Sequence, residues 1–239
     1  GAVQVYIGVN LGSPGERVLK GTASELAEIP CADLAVMLVL NPNSVNPFEP
    51  VRDEMLTRAK VPMTKEEVRW VSVARLGVQP GDTVWDVGAG TGAVTFELAR
   101  KAMDGAVFAV ERNTEAIELI AQNRQKLGGF NVHIVQGHAP EVLADLPKPN
   151  CVFVGGSGGN MREIIEAALM KNPKARIAVN AIALETLQET QRLFAEFGLQ
   201  QVEITQLSAA RGKSIGCYTM MTANNPVFIL SGKGDKYGE

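Results

Sequence analysis

The sequence predicts an α/β fold in which a doubly wound parallel sheet of seven strands is covered by helices on both faces. The first observation is that short apolar runs alternate with amphipathic segments of helical period, as in sheets built from β–α–β units. The second is that five such units are followed by two strand-like runs, Gln201–Leu207 and Val227–Leu230, separated by a long loop. The third is length: 239 residues, 46% of them hydrophobic, suffice for one full domain and a remainder.

The predicted elements follow in order along the chain. The strands before the terminal pair are Thr83–Val87, Ala106–Val110, Val132–Val135, Cys151–Val154 and Arg176–Asn180. The helices are Thr64–Leu76, Ala93–Lys101, a helix capped by Asn113, Met161–Leu169 and Leu184–Phe197. Thr64 and Glu67 have the spacing of a capping box, which predicts where the first helix begins. Gly128 and Gly129 end the helix that Asn113 caps.

The first 42 residues are predicted to be a separate segment with a short β–α–β pattern. Its strands are the apolar runs Val3–Val9 and Leu34–Leu40, and its helix lies near Thr22–Glu28. About 40 residues are too few to bury an independent core. The turn-rich segment Asn41–Pro47 reads as a linker, so the chain divides into residues 1–42 and 43–239.

Composition argues against several classes of function. A formal net charge of −3 gives no general basis for binding nucleic acid or an anionic membrane. No apolar run approaches the roughly 18 residues of a membrane span, and the N-terminus lacks the pattern of a signal peptide. Cys31, Cys151 and Cys217 have no metal-ligand spacing, which predicts free, buried thiols and no metal site. We therefore expect a cytoplasmic protein.

The sharpest motif is the loop from Asp86 to Gly92, at the first turn from strand to helix. Its glycines, Gly88, Gly90 and Gly92, let the backbone approach a ligand, and the helix N-terminus offers unpaired N–H groups. Asp86 ends the strand, where enzymes that transfer hydride to nucleotides usually have an apolar residue. The loop resembles the first motif of class I S-adenosylmethionine methyltransferases, which implies a Rossmann-like fold. The alternative is a tight turn without a ligand.

Two further turns favour a nucleoside ligand. Glu111 ends the second strand, where an acid accepts hydrogen bonds from both ribose hydroxyls. This supports a nucleoside and not a particular reaction, and the alternative is a solvated surface glutamate. His138 lies in the turn after the third strand, where it either contacts adenine or is a surface residue. His133, inside a strand, is expected to be structural.

Six motifs occur in an order that resembles the decarboxylating precorrin methyltransferases of cobalamin biosynthesis. They are Lys60–Arg69, Asp86–Gly92, Val110–Asn113, Gly137–Glu141, Val154–Gly159 and Asn180–Thr186. The resemblance covers about residues 48–232. It implies methylation of carbon 15 of a precorrin, loss of carbon dioxide from the acetate on carbon 12, S-adenosylmethionine as cofactor and a homo-oligomer, in that family a tetramer.

The resemblance also implies a set of cofactor-binding residues. The predicted set is Thr64, Asp86, Gly88, Ala89, Gly90, Thr91, Gly92, Glu111, His138 and Ala139. The family usually has an acid at the position of His138, so an acidic contact to the adenine amine is not expected, whereas the backbone at Ala139 can still serve. Asn10–Arg17 and Gly21–Thr22 resemble instead the C-terminal end of the enzyme that methylates carbon 5, which is fused to this family in some organisms. We expect residues 1–42 to be a remnant without that activity.

The tetrapyrrole is expected at the remaining strand ends. A precorrin carries many carboxylates, which an acidic protein binds through local cation clusters. The predicted substrate-binding residues are Gly155, Gly156, Ser157, Gly158, Gly159, Asn180, Glu185, Arg211 and Lys213. The five small residues follow the fourth strand, whose end faces the methyl acceptor in this fold, and Arg58 with Lys60 forms a second candidate cation group.

The expected mechanism is in-line attack of a ring carbon on the sulfonium methyl, with the macrocycle as electron sink for decarboxylation. No catalytic residue is assigned. Two alternatives remain open: a class I methyltransferase acting on tRNA or protein, and a non-catalytic nucleoside-binding domain. The segment Val154–Ser157 differs from the polar-proline-proline-aromatic motif of many of the former, and neither nucleic acid nor membrane is an expected partner.

Overall fold

The computed structural model describes residues 3–31, 34–41 and 49–235. The chain forms two compact units, Gly1–Asn46 and Pro47–Glu239. The predicted division after residue 42, and most of the predicted linker, lie outside the described residues. Among the helices that are described, none has both the length and the apolar character to cross a membrane.

The first unit is a small antiparallel sheet with one short helix. Its elements are β1 (Gln4–Val9), β2 (Arg17–Thr22), α1 (Ala23–Leu26) and β3 (Ala35–Leu40), and the strand order is β2-β1-β3. Leu26 packs with the buried residues of β1, whereas β3 is exposed along its whole length. The predicted β–α–β pattern was wrong in one respect, because it lacked β2.

The second unit contains the predicted seven-stranded sheet. Its strands are β4 (Thr83–Val87), β5 (Ala106–Glu111), β6 (Val132–Gln136), β7 (Cys151–Val154), β8 (Arg176–Ala181), β9 (Gln200–Leu207) and β12 (Val227–Lys233), in the order β6-β5-β4-β7-β8-β12-β9. β4 to β8 are parallel, and β12 runs antiparallel to both β8 and β9. The prediction of an α/β, doubly wound, seven-stranded fold is confirmed.

Helices cover both faces of this sheet. They are α2 (Glu66–Leu76), α3 (Ala93–Lys101), α4 (Thr114–Leu127), α5 (Met161–Lys171) and α6 (Leu184–Glu196). Side chains alternate along β4, so Val84 joins a core with α2, α3 and α4 while Trp85 and Val87 join a second core with α5 and α6. The carboxyl ends of the parallel strands meet at one edge, where ligands bind in such sheets.

Two local predictions were wrong in the second unit. Lys65, not Thr64, is the N-cap of α2, and its side chain forms no cap bond, because an ammonium group has no acceptor. Glu67 accepts from Arg211. The long loop after β9 is a hairpin of β10 (Ala210–Ile215) and β11 (Tyr218–Ala223). The predicted cap at Asn113 is confirmed by its bonds to the first turn of α4.

The three cysteines are free, as predicted. The predicted burial holds for Cys151 alone, since Cys31 and Cys217 are exposed.

Candidate functional site

A cavity of about 630 Å³ opens at the carboxyl ends of the parallel strands. The turns that follow β4, β5, β6 and β7 each contribute lining residues, together with the end of β8. The segment Val61–Lys65, just before α2, forms another wall. The cavity therefore occupies the edge where the sequence motifs were expected to meet.

The loop after β4 has a conformation that requires glycine. Gly88 has φ +74°, in the left-handed region, and a Cβ added there would lie 2.5 Å from the carbonyl oxygen of Gly156. The N–H groups of Gly88 and Ala89 both donate to the Val110 carbonyl, at 3.0 and 3.1 Å. The loop is thus fixed against both neighbouring strands, with its backbone facing the cavity.

Glu111 is locked in place by backbone donors. Its Oε2 accepts from the Gly90 N–H at 2.8 Å, and its Oε1 accepts from the N–H groups of Arg112 (2.8 Å) and Asn113 (2.9 Å). A carboxylate has about four acceptor positions, so roughly one remains, on Oε2. Glu111 can accept one ribose hydroxyl without displacing a backbone group, whereas the predicted pair of bonds would require a displacement.

Asp86 lies at the floor of the cavity and is fully buried. Burial raises the pKa of its carboxyl to about 7, although Thr95 Oγ1 donates to Oδ2 at 2.5 Å and opposes the shift; the nearby charge of Glu111 adds to it. Its other oxygen, Oδ1, has no hydrogen-bond partner among the described residues. A buried carboxylate oxygen without a partner is well suited to a cationic ligand group.

Two buried polar side chains hold the walls. Arg69 donates to the Thr64 carbonyl at 2.6 Å and to Asp53 Oδ1 at 2.6 Å, which fixes the segment before α2. Asn123 donates from Nδ2 to the carbonyls of Thr57 and Thr91, at 2.9 and 3.0 Å. These bonds attach the chain before α2 to the loop after β4.

The turn after β6, which the sequence predicted to contact adenine, lines the cavity. Asn160 Nδ2 donates to the Ala139 carbonyl at 2.9 Å, which fixes this turn. His138 lines the same part of the cavity, and its Nε2 lies 2.8 Å from Nη1 of Arg112. An imidazole and a guanidinium therefore lie side by side at this part of the cavity.

The opposite side is lined by the small residues after β7 and by the end of β8. Gly155, Gly156, Ser157 and Gly158 all line the cavity. Asn180 lines it too; its Oδ1 accepts from the Ser72 hydroxyl at 2.9 Å, and its buried Nδ2 has no partner among the described residues. This part of the cavity therefore combines the open space beside the glycine loop with the amide of Asn180.

Comparison with known proteins assigns this chain to one family. Residues 57–233 match the model of the precorrin methyltransferase domain. The chain belongs to the precorrin methyltransferase domain family. It is 43% identical over 184 residues (76% of this chain, 94% of the relative) to a probable cobalt-precorrin-6B C(15)-methyltransferase (decarboxylating) of Pyrobaculum calidifontis.

Solved structures agree with the assignment. A precorrin-6Y C5,15-methyltransferase of Geobacter metallireducens superposes with a TM-score of 0.72 at 36% identity, covering 77% of this chain and 97% of that one. A SAM-dependent O-methyltransferase of Thermotoga maritima has a TM-score of 0.66 at 19% identity, covering 99% of this chain and 94% of that one, and shares the fold. The Rossmann-like methyltransferase fold predicted from the sequence is confirmed.

The cavity brings together most of the residues predicted for this family. The predicted residues that line it are Thr64, Asp86, Gly88, Ala89, Gly90, Thr91, Glu111, His138, Ala139, Gly155, Gly156, Ser157, Gly158 and Asn180. The predicted residues outside its lining are Gly92, Gly159, Glu185, Arg211 and Lys213. Gly92 has a structural reason for being glycine, since an added Cβ would lie 2.8 Å from the Phe96 ring.

Arg211 is held by carboxylates outside the cavity. Its Nε and Nη2 donate to the two oxygens of Glu67 at 2.7 and 2.6 Å, and its Nη1 donates to Asp53 Oδ2 at 2.9 Å. These bonds raise the pKa of the guanidinium. Arg211 thus anchors the β10–β11 hairpin to the start of α2.

Several polar lining residues were not predicted as site residues. They include Lys65, Arg112, Asn224 and Asn225. Arg112 had a sequence signal, because it directly follows Glu111, the acid predicted to bind ribose, at the end of β5. The two asparagines had none, because the hairpin that delivers them reads as a loop.

Proposed function

We propose that this chain methylates carbon 15 of cobalt-precorrin-6B, or of its cobalt-free counterpart, with loss of carbon dioxide from the acetate on carbon 12. The methyl donor is S-adenosylmethionine. The observation that carries the proposal is one cavity that joins a methyltransferase-type glycine loop and Glu111 to a second glycine loop with space for a planar acceptor. Family membership and the printed name of the Pyrobaculum relative support the same reaction.

The residues present fit the cofactor. The remaining acceptor position on Glu111 suits a ribose hydroxyl, and the Ala139 N–H suits an adenine ring nitrogen. Asp86 Oδ1 and the buried Thr91 hydroxyl lack partners among the described residues, and both line the cavity. Their oxygens suit the ammonium end of the methionine part.

The chain's own groups then act by binding and positioning. When bound, the cofactor would supply a sulfonium methyl for transfer to the ring carbon, with the C–S bond breaking as the new C–C bond forms. The loop after β4 would hold the cofactor in a fixed position, because its backbone donates to the Val110 carbonyl and packs against Gly156. Phe153 and Val227 give the cavity apolar walls, which exclude water from the reacting atoms. Asn180 Nδ2, on the cavity-lining residue Asn180, is a buried donor without a partner among the described residues.

Mass spectrometry tests the proposal directly. The protein is incubated with S-adenosylmethionine and either cobalt-precorrin-6B or precorrin-6B, and we expect a product that has gained one methyl and lost one carbon dioxide. A methylated product that retains its carboxylate would contradict the decarboxylation. Calorimetry with S-adenosylmethionine against NAD separates a methyltransferase from a generic nucleoside-binding domain.

We further propose a homo-oligomer in the cytoplasm. The β10–β11 hairpin exposes large apolar side chains on its two faces, namely Ile215, Tyr218, Met220 and Met221, of the kind that mark protein interfaces. Free thiols agree with a reducing compartment. Light scattering after size exclusion tests the first statement, with Met221→Lys expected to lower the mass, and cell fractionation tests the second.

A further inference from the structure

The cavity lining contains few formal charges, and they differ in how far they are compensated. The acids are Asp86 and Glu111, and the cations are Lys65 and Arg112. Oε1 of Glu111 accepts two backbone hydrogen bonds, and Oε2 accepts one. Arg112 forms no ion pair with any carboxylate in the described part of the chain. Its positive charge is therefore available to a ligand.

His138 holds Arg112 without neutralising it. A guanidinium has donors and no acceptor, so Nε2 of His138 accepts the 2.8 Å bond from Nη1 with its lone pair. The ring proton then lies on Nδ1, which is 3.3 Å from the Ala139 carbonyl. One edge of the guanidinium is thus oriented by a neutral imidazole, and the remaining N–H groups are left for another partner.

The pair lies next to the acceptor-facing loop. A Cβ built on Gly158 would lie 3.6 Å from Arg112 Nη1 and 3.8 Å from His138 Cε1. Gly158 also has φ +61°, so this close approach depends on a residue that tolerates the left-handed region. Arg112 consequently borders both the nucleoside end of the cavity and the space after β7.

Arg211 provides the contrast that identifies Arg112. Arg211 was predicted from the sequence to bind an acidic ligand, whereas Arg112 was not. Arg211 already has a bidentate carboxylate partner in Glu67 and a further bond to Asp53, whereas the hydrogen bond found for the Arg112 guanidinium is to a neutral ring. A planar guanidinium with free N–H groups binds carboxylates in a fork that a lysine cannot match.

We propose that Arg112, oriented by His138, binds a carboxylate side chain of the tetrapyrrole acceptor at the edge of the Gly155–Gly158 loop. This inference rests on the proposed function, because it assumes that the acceptor is a polycarboxylate macrocycle. Arg112 is then a specificity-determining residue, which selects an acidic acceptor and fixes one edge of it beside the cofactor.

Steady-state kinetics and binding of Arg112→Gln test the proposal. KM for cobalt-precorrin-6B is expected to rise about 10- to 100-fold, the range of a lost charge-assisted hydrogen bond. The Kd for S-adenosylmethionine, measured by calorimetry, is expected to stay within about twofold. Arg112→Lys keeps the positive charge but loses the paired N–H donors of the guanidinium, so its KM is expected to lie between those of the wild type and Arg112→Gln. The control Arg192→Gln removes an exposed charge on α6, 60% accessible and outside the cavity, and is expected to leave both constants unchanged.

A binding probe separates this inference from the proposed reaction. Uroporphyrin, a tetrapyrrole polycarboxylate, and its methyl ester are titrated by fluorescence against the wild type and Arg112→Gln. We expect the wild type to prefer the free acid and the variant to lose that preference, whether or not turnover occurs. Wild-type binding without turnover would reject the reaction alone. An unchanged KM and acid preference in Arg112→Gln, or a loss confined to cofactor affinity, would overturn the role of Arg112, as would wild type that binds neither probe nor substrate.

Discussion

Two neighbouring glycine loops line the cavity, and their glycines are present for different reasons. In the loop after β4, Gly88 and Gly92 combine positive φ with crowded surroundings, since added Cβ atoms would lie 2.5 and 2.8 Å from neighbouring atoms. In the loop after β7, a Cβ added at Gly156 would meet nothing within 4 Å. The first loop needs glycine to pack at these two positions, and the second leaves space at Gly156.

The glycines of the first loop therefore matter for the conformation of the site, and Gly156 in the second loop matters for the ligand that enters it. A crowded glycine holds the loop in the shape that presents its backbone to a cofactor, so changing it should damage the whole site. A glycine in open space has no packing role, so changing it should alter only what enters the cavity. The two loops even meet, because the atom that Gly88 would strike belongs to Gly156.

The largest effect is expected from Gly88→Ala. An alanine at φ +74° costs about 1–2 kcal/mol, and displacing the Gly156 backbone costs about 1–3 kcal/mol more. Urea unfolding should therefore show a loss of about 2–5 kcal/mol, together with loss of cofactor binding.

The matched variant for this comparison is Gly156→Ala. Its unfolding free energy should change by less than about 1 kcal/mol, because the added methyl contacts nothing and the unfolded chain loses some entropy. Equal destabilisation by the two variants would break the distinction between the loops.

The next effect concerns the carboxylate that joins the first loop to β5. In the wild type, both carboxylate oxygens of Glu111 accept from backbone N–H groups. Glu111→Gln keeps the shape of the side chain but replaces one of these acceptors with an NH₂ donor, which faces backbone donors. Calorimetry should show S-adenosylmethionine binding about 10- to 100-fold more weakly, as expected for charge-assisted bonds. The control is Glu115→Gln, in the exposed first turn of α4. Unchanged affinity in Glu111→Gln would reject the ribose assignment.

A pH dependence is expected from the floor of the cavity. Burial raises the pKa of Asp86 to about 7, so its carboxyl is largely protonated below that value and ionised above it. A cationic cofactor favours the ionised form, so affinity should increase with pH through this range. Calorimetry at about pH 6 should give a Kd roughly tenfold weaker than at about pH 8.

Stability of the ligand-free protein should change in the opposite direction. A carboxyl with a raised pKa retains its proton in the folded state where the unfolded chain has lost it, so the free energy of unfolding falls as pH rises from about 4 to about 7. Asp86→Asn mimics the protonated form and should remove both dependences. A variant that kept the same pH profile of binding would exclude Asp86 as its source.

Much of the second unit could be predicted from the sequence, because its buried apolar residues recur with the period of a strand or a helix. β7 is apolar throughout, β4 is buried from its second residue onward, and the glycines that follow both strands mark the turns. β2 and the β10–β11 hairpin were missed for the opposite reason. No residue of β2 is buried, and the hairpin is exposed on nearly every residue, so backbone pairing holds these strands and no hydrophobic alternation marks them.

The residues of the site likewise divide into those that the sequence could predict and those that it could not. Residues placed by a local turn, such as Glu111 and Gly88, could be predicted because the turn itself carries the motif. The environment of a cation could not, since Arg211 meets a glutamate 144 residues away in the chain. The false capping box is a related case: Glu67 forms that long-range ion pair, and Lys65 is the N-cap.

The smallest effect is expected from Gly156→Ala on catalysis. The added methyl extends into the cavity beside the acceptor-facing loop, where it takes space without contacting the chain. KM for cobalt-precorrin-6B should rise a few-fold, on the order of the free energy of one poorly placed methyl group, while the Kd for S-adenosylmethionine stays the same. A shift in cofactor affinity instead of KM would mean that the second loop belongs to the nucleoside side, and the contrast between the two loops would then be one of packing alone.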